Sequence, residues 1–151
     1  MTHILDLNTE LKSLRPRLPG ANKGDFGHVL IIGGDEGMSG AVRMAAESSV
    51  RAGCGLVTVA THPRHAAMIN IARPEIMSSG LDTSNSSCIE KLDFLLEKAD
   101  IIVVGPGLGM ANWGRDILIR VMFKQLHKPV IMDADALNLL ARNNACYGVN
   151  I

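Results

Sequence analysis

The chain has 151 residues, 47% of them hydrophobic and 3% aromatic, with 15 Lys+Arg against 15 Asp+Glu and a pI near 7.0. A chain of this length buries roughly 68–70% of its unfolded surface and needs neither disulfides nor a metal to build a core, and its balanced charge argues against a surface made to neutralise nucleic-acid phosphates. Apolar runs such as Val29 to Ile32 fall far short of the ~18 residues of a membrane span, and Met1-Thr-His-Ile-Leu-Asp-Leu lacks a signal-peptide layout, so the expectation is a cytoplasmic protein without nucleic-acid or membrane partners.

In chain order, residues 1–20 begin with Ile4, Leu7, Leu11 and Leu14 at helical spacing and then break at Arg15-Pro-Arg-Leu-Pro-Gly, which predicts an N-terminal docking segment. Residues 21–142 alternate short apolar runs with helical periodicity, the rhythm of a parallel sheet covered by helices. Strands are expected at His28–Gly33, Leu56–Ala60, Asp100–Val104 and Pro129–Met132, all rich in β-branched residues, with a weaker one at Glu75–Ser78. Between them, Ser39–Ala52 places Val42, Ala45, Ala46, Ser49 and Val50 on one face and Arg43, Glu47 and Arg51 on the other. Gly53 follows as a C-terminal cap. Further helices are expected at Pro63–Ala72, stopped by Pro74, and at Cys88–Ala99, Trp113–His127 and Ala134–Arg142. Asp82–Ser87 reads as a surface loop. The eight methionines read as core filler. Cys54, Cys88 and Cys146 form no C-x-x-C pair and are expected as reduced thiols, Cys54 a structural one. The fold class is therefore α/β, a three-layer α/β/α arrangement on a mainly parallel sheet.

Three turns at strand ends carry the functional signal, because ligands of open α/β sheets gather at the strands' carboxyl ends. Gly33-Gly34-Asp35-Glu36-Gly37-Met38-Ser39-Gly40-Ala41 matches neither the dinucleotide fingerprint nor the P-loop. It is either a tight crossover turn or an anion-facing helix start. Gly105-Pro106-Gly107-Leu108-Gly109 offers a rigid shelf poor in side chains, suited to a flat ring or a phosphate, with a merely crowded crossover turn as the lesser alternative. In Asp133-Ala134-Asp135-Ala136-Leu137-Asn138 the carboxylates can approach Mg²⁺ through water or act as bases, and Asp135 can equally be a helix cap. His62 and His65 lack partners for a metal site and are expected at the surface. Ser39 lies outside a G-x-S-x-G elbow, which leaves a serine hydrolase little support. Lys23-Gly24-Asp25-Phe26-Gly27 is either an anion-facing loop or a solvated turn.

Six blocks in order, Asn22-Lys-Gly-Asp-Phe-Gly-His-Val-Leu-Ile-Ile-Gly-Gly, Ser39-Gly-Ala, Arg51-Ala-Gly-Cys-Gly-Leu-Val, Arg73-Pro-Glu-Ile-Met, Gly105-Pro-Gly-Leu-Gly and Asp133-Ala-Asp-Ala-Leu-Asn, resemble the ADP-dependent NAD(P)H-hydrate dehydratases of the ribokinase-like superfamily. The resemblance runs from about residue 15 to residue 142. It implies a lyase that returns hydrated NADH or NADPH to the working cofactor at the expense of ADP, with Mg²⁺. Phosphorylating the ring hydroxyl makes a leaving group that the ring nitrogen's lone pair can expel. By carry-over, Ala41, with Gly40 in the same turn, and Gly107 and Gly109 contact the hydrated nucleotide, while Asp133, Asp135 and Asn138 line the cleft. Asn22 departs from the usual His-Lys-Gly pattern.

The resemblance also implies a Pro-His-Pro-Gly-Glu segment, a Lys-containing nucleotide loop and a Gly-x-Gly-Asp turn with the catalytic Asp, all expected beyond residue 151. The expectation is thus a single partial domain, 1–151, that supplies the substrate side, is inactive alone, and exposes an edge strand or apolar face for a homo-oligomer or for the remaining half. A ribokinase-like kinase for a small alcohol, and a non-catalytic truncated binding or oligomerisation module, are the alternative readings.

Overall fold

The computed structural model describes residues 17–124 and 126–142. Strands β1 (His28–Ile32), β2 (Leu56–Thr61), β3 (Met77–Gly80), β4 (Ile101–Val104) and β5 (Val130–Met132) form one parallel sheet in the order β3-β2-β1-β4-β5. The helices are α1 (Ser39–Arg51), α2 (Ala66–Ile69), α3 (Ser87–Lys98), α4 (Asn112–Phe123) and α5 (Asp135–Arg142). Alternation along β1 divides the core. Leu30 and Ile32 pack with Leu92 and Leu96 of α3, Leu118 of α4 and Leu139 of α5, whereas Ile31 packs with Val42 and Ala46 of α1 and Ile69 of α2. Each fully buried Leu or Ile contributes roughly 1.5–3 kcal/mol relative to exposure. Helices on both faces make the three layers that the apolar rhythm predicts.

The chain winds outward from β1 to β3 and then resumes at β4 on the other side of β1. The carboxyl ends of β1 and β4 therefore flank the point where the winding reverses, the place at which such sheets open a crevice.

Local chemistry explains the element ends. α1 closes in a Schellman motif, with Gly53 N–H donating to Val50 O at 3.0 Å and Cys54 N–H to Ser49 O at 3.1 Å; Gly53 takes φ +102°, as the expected glycine cap requires. Lys128 Nζ donates to Leu96 O and Glu97 O, both at 3.0 Å, neutralising the carboxyl end of α3. Between α3 and α4, Asp93 receives Arg120 Nε at 2.8 Å and a second bond from the same guanidinium, while Lys124 Nζ reaches Asp93 at 3.1 Å and Glu97 at 3.0 Å. The Arg120 hydrogen bond holds the Asp93 carboxyl below its ordinary range, with a lesser contribution from Lys124.

Several expectations shift. The helix predicted over Pro63–Ala72 is a 3-10 turn at Pro63–His65 followed by the short α2, because the Arg73 N–H turns back to Asn70 O at 3.2 Å. The weak strand moves from Glu75–Ser78 to Met77–Gly80, since Ile76 closes a turn onto Arg73 before pairing begins at Thr58↔Met77. α4 starts at Asn112 and stops at Phe123 rather than His127, where Lys124 leaves helical geometry at ψ 32°. The methionines are not core filler: Met44, Met68 and Met77 are exposed, while Met110, Met122 and Met132 pack against the core only in part. On α1 Met44 is 70% exposed, while Glu47 is half-buried and paired with Arg73 at 3.7 Å. On the side of the sheet away from α4 and α5, Ile131 is 54% and Ile101 36% exposed, so among the described residues β4 and β5 are only partly covered there.

Most of the docking segment expected over residues 1–20 lies outside the described residues, as does Cys146. Arg17, the first described residue, stacks its guanidinium 4.2 Å from the Phe26 ring and donates to Gly53 O at 2.8 Å.

Candidate functional site

The three turns singled out by sequence meet at adjacent strand ends and are hydrogen-bonded to one another. Gly34 N–H donates to Pro106 O at 3.1 Å and Asp35 N–H to Gly107 O at 2.7 Å, joining the first turn to the second. Gly109 N–H donates to Asp135 Oδ2 at 2.9 Å, joining the second to the third. Glycine is required by this closeness. A Cβ on Gly33 would lie 2.1 Å from Pro106 O, and one on Gly105 would lie 1.8 Å from Asp133 O.

Ala41 and Gly107 face each other: a Cβ on Gly107 would stand 3.3 Å from that of Ala41 and 2.6 Å from Met38 O, with φ at +58°. Gly109 is buried beneath Asp35, whose Oδ2 would be 2.5 Å from an added Cβ. Gly40 is exposed and has no atom within 4 Å of where its Cβ would be, so this part of the floor is open. α1 begins here with no side-chain cap and no acidic residue in its first turn. Its leading N–H groups thus suit an anion near Gly40 and Ala41.

In the third turn the roles separate. Asp135 does not cap its own helix: its carboxylate receives Gly109 N–H and, at 3.4 Å, Asn138 Nδ2, which makes it a latch between turns. Ala134 takes φ +43°, a conformation uncommon for alanine, and this bend carries the chain from β5 into α5. Asp133 is exposed and its side chain has no hydrogen-bond partner among the described residues, so it is the carboxylate of this turn left free for a ligand. Asn138 is exposed beside Asp135.

His65 is buried rather than at the surface, and His62 is half-buried. β2 runs straight into the Pro63–His65 turn, which folds His65, 8% exposed, under the first glycine turn. The His62 ring packs edge-on against Trp113 at 5.7 Å, and its Nδ1 is buried without a hydrogen-bond partner. Trp113 is fixed in turn by an Nε1–H bond to Leu81 O at 2.7 Å. Glu36 pairs with Arg64 at 3.1 Å and stands 4.0 Å from His62 Nε2. Asp82, next along after β3, sits below the ordinary carboxylate range because the Ser84 hydroxyl and N–H both donate to it. Asp35, Thr61 and Trp113 also border the site, as does His65, which sequence offers only as a metal-ligand candidate. Their sequence signal was position alone, in the first glycine turn, at or just after the end of β2, and at the start of α4.

The Lys23–Gly27 segment lies elsewhere. It is a 3-10 turn at the amino ends of β1 and β2, with Gly55 N–H bonded to Phe26 O at 3.2 Å. Asn22 closes it as a capping box: its Oδ1 receives Gly24 N–H and its own N–H donates to Asp25 Oδ2, both at 2.8 Å. Of the two readings open to this segment, the solvated turn is the one the structure shows. A cavity of about 660 Å³, lined by Ser84, Cys88, Ile89, Ile117, Phe123 and neighbours between the loop after β3, α3 and α4, shares no residue with the three turns. No group of three or more His, Cys, Asp or Glu among the described residues could hold a metal ion, and no described helix is long and apolar enough to cross a membrane.

A family model described as NAD(P)H-hydrate dehydratase matches residues 29–150. The bifunctional NAD(P)H-hydrate repair enzyme of Coxiella burnetii is 46% identical over 142 residues, covering 94% of this chain and 28% of the relative. Among solved structures, a hypothetical protein from Streptococcus mutans superposes with a TM-score of 0.83 at 33% identity over 96% of this chain and 51% of that one. The ADP/ATP-dependent NAD(P)H-hydrate dehydratase of Bacillus subtilis, co-crystallised with ATP and Mg²⁺, superposes with a TM-score of 0.66 at 27% identity, covering 82% of this chain and 43% of that one. The chain thus spans about a quarter to a half of the length of these relatives.

Proposed function

We propose that this chain, which belongs to the NAD(P)H-hydrate dehydratase family, supplies the substrate side of an ADP-dependent dehydration that returns hydrated NADH or NADPH to NADH or NADPH. The observation that carries the reading is the interlocking of the three turns at the β1–β4 reversal, which brings the open Gly40 and the facing Ala41 and Gly107 into one floor, with Gly109 tied in beneath Asp35. Such a floor lets a flat ring or a phosphate approach the backbone closely. The uncapped start of α1 offers N–H groups to an anion, and Asp135 with Asn138 holds the edge of the floor in place.

When bound, ADP would supply the phosphoryl group that turns the ring hydroxyl into a leaving group, with Mg²⁺ balancing phosphate charge. The carboxylates present fit a nucleotide-borne Mg²⁺, which keeps most of its water and uses one or two carboxylates, and Asp133 is the free one. They do not fit a dedicated protein cage. This chain's own residues orient the hydrated ring and exclude side chains from its path, and we place the residue that moves the proton outside the chain.

The partly covered side of β4 and β5, with Ile101 and Ile131 exposed, supports a functional unit that contains more polypeptide, either the remainder of such a dehydratase or further copies of this chain. The unpaired thiols of Cys54 and Cys88 agree with a reducing, cytoplasmic setting.

The experiment is to give the chain hydrated NADH, ADP and Mg²⁺, alone and together with the segment of the Bacillus subtilis dehydratase that it does not cover, and to follow NADH absorbance. The reading expects recovery of NADH only in the second case. A phosphorylated product accumulating without NADH would favour a small-molecule kinase, and recovery by the chain alone would refute the division of the site.

A further inference from the structure

The first turn is held from outside the three loops. The carbonyl oxygen of Gly34 receives Thr61 Oγ1 at 2.8 Å, lies 3.2 Å from His65 Nδ1 and accepts the His62 N–H at 3.3 Å. A carbonyl can only accept, so Nδ1 of His65 carries the proton. Thr61 is wholly buried and His65 nearly so. Burial of a hydroxyl or an imidazole is unfavourable unless it is hydrogen-bonded, and both side chains meet the backbone carbonyl of Gly34. Thr61 ends a strand whose preceding residues, Val57, Val59 and Ala60, are buried and apolar, and an apolar side chain would fill the same space. Gly34 is matched to it: at φ +72°, a Cβ there would come within 2.6 Å of Thr61 Oγ1.

From Gly34 the bonds continue in series. Its N–H holds Pro106 O, the next N–H holds Gly107 O, and Gly109 N–H reaches Asp135. The end of β2 is thereby connected through the Gly34–Asp35 peptide group to the second turn, and from there through the Gly109 N–H to the third.

We infer that Thr61 and His65 are positioning residues for the cleft, acting through the Gly34 carbonyl to set where the Gly105–Gly109 turn stands opposite Ala41. The inference rests on the reading of these turns as the substrate cleft, and its own content is the linkage between them.

Residue-resolved amide hydrogen exchange on the full chain tests it. Thr61→Val keeps the shape and removes the donor, and Thr61→Ser restores the donor. His65→Phe and His65→Asn form a second, independent pair that carries the test if Thr61→Val does not fold. The donor-deleted variants should exchange the Asp35 and Gly109 amides about three- to tenfold faster, the scale of one lost hydrogen bond, while Leu30 and Val59 stay at parental rates and the donor-retaining variants revert. Unchanged Asp35 and Gly109 amides, or acceleration shared equally by Leu30 and Val59, would overturn the inference. Titrating the same variants with hydrated NADPH separates the premise: faster amides with parental affinity would leave the linkage standing and remove the cleft reading.

Discussion

Replacing Gly107 with alanine should unfold the chain more readily than any change at the neighbouring Gly40, although both glycines lie in the same cleft. At Gly107 the backbone has φ +58°, and the new Cβ would sit 2.6 Å from Met38 O, 3.0 Å from Met38 Cβ and 3.3 Å from Ala41 Cβ. A left-handed alanine costs roughly 1–2 kcal/mol, and forcing a methyl against a backbone oxygen adds roughly 1–3 kcal/mol, about 2–5 kcal/mol together. Gly40 is helical with no atom within 4 Å of its Cβ position, so alanine there gains up to about 1 kcal/mol of helix propensity. The two variants therefore differ by roughly 2–6 kcal/mol, against a total of about 5–15 kcal/mol for a domain. Urea unfolding followed by circular dichroism reads this directly, since slopes of about 1–3 kcal/mol per molar turn it into a midpoint difference of at least about 0.7 M. Gly40→Ala has a second consequence: it narrows the floor, so the more stable protein should bind hydrated NADPH less tightly. Gly107→Ala within about 1 kcal/mol of the parent, or Gly40→Ala less stable than it, would refute the geometry from which these figures come.

Three further outcomes follow from the same contacts. Asp135→Ala leaves the buried Gly109 N–H without its acceptor and should lower stability by about 1–3 kcal/mol, with Asp135→Asn, which keeps an oxygen, losing less in the same urea assay. Asp93 has its carboxyl held below the ordinary 3.8, chiefly by Arg120, so its contribution is complete above about pH 4 and is lost as pH falls through the native value. Asp93→Asn should therefore cost less than about 1 kcal/mol at neutral pH, the pair being partly exposed, and the gap to the parent should close below pH 4 in unfolding midpoints taken across pH. Burial raises the Cys88 thiol, so in a Cys146→Ser background a disulfide reagent should modify Cys54, which is half-buried, well before Cys88, and equal rates would contradict the packing of α3.

What could be read from sequence were features settled within one element. β1, α1 and the Gly53 cap depend on apolar spacing and a single left-handed residue, and they stand where the pattern puts them. β3 depends on how the Arg73–Ile76 turn spends the residues after Pro74, which spacing does not reveal. The turns were found because glycine after an apolar strand is a positional signal. Their mutual bonding was not, because Pro106 O and Gly107 O become acceptors for the first turn only when β4 pairs beside β1. Asp135 shows the limit most clearly: Mg²⁺ ligand, base and helix cap are the roles open to it in the sequence, and the fold uses it as a latch on Gly109. His62 and His65 differ from the surface expectation for a similar reason, since the Pro63 turn that buries His65 and half-buries His62 is a tertiary event. Asn22, a departure from the family pattern, is explained by its capping box.

The measurement closest to the central claim is a titration of the chain with hydrated NADPH observed by amide chemical shifts. The account predicts that the largest changes fall on Gly40, Ala41, Gly107 and Gly109, with Asp133 and Asn138 next. Shifts concentrated instead on Ser84, Cys88 and Phe123, around the cavity between α3 and α4, or no saturable shift at all, would contradict it.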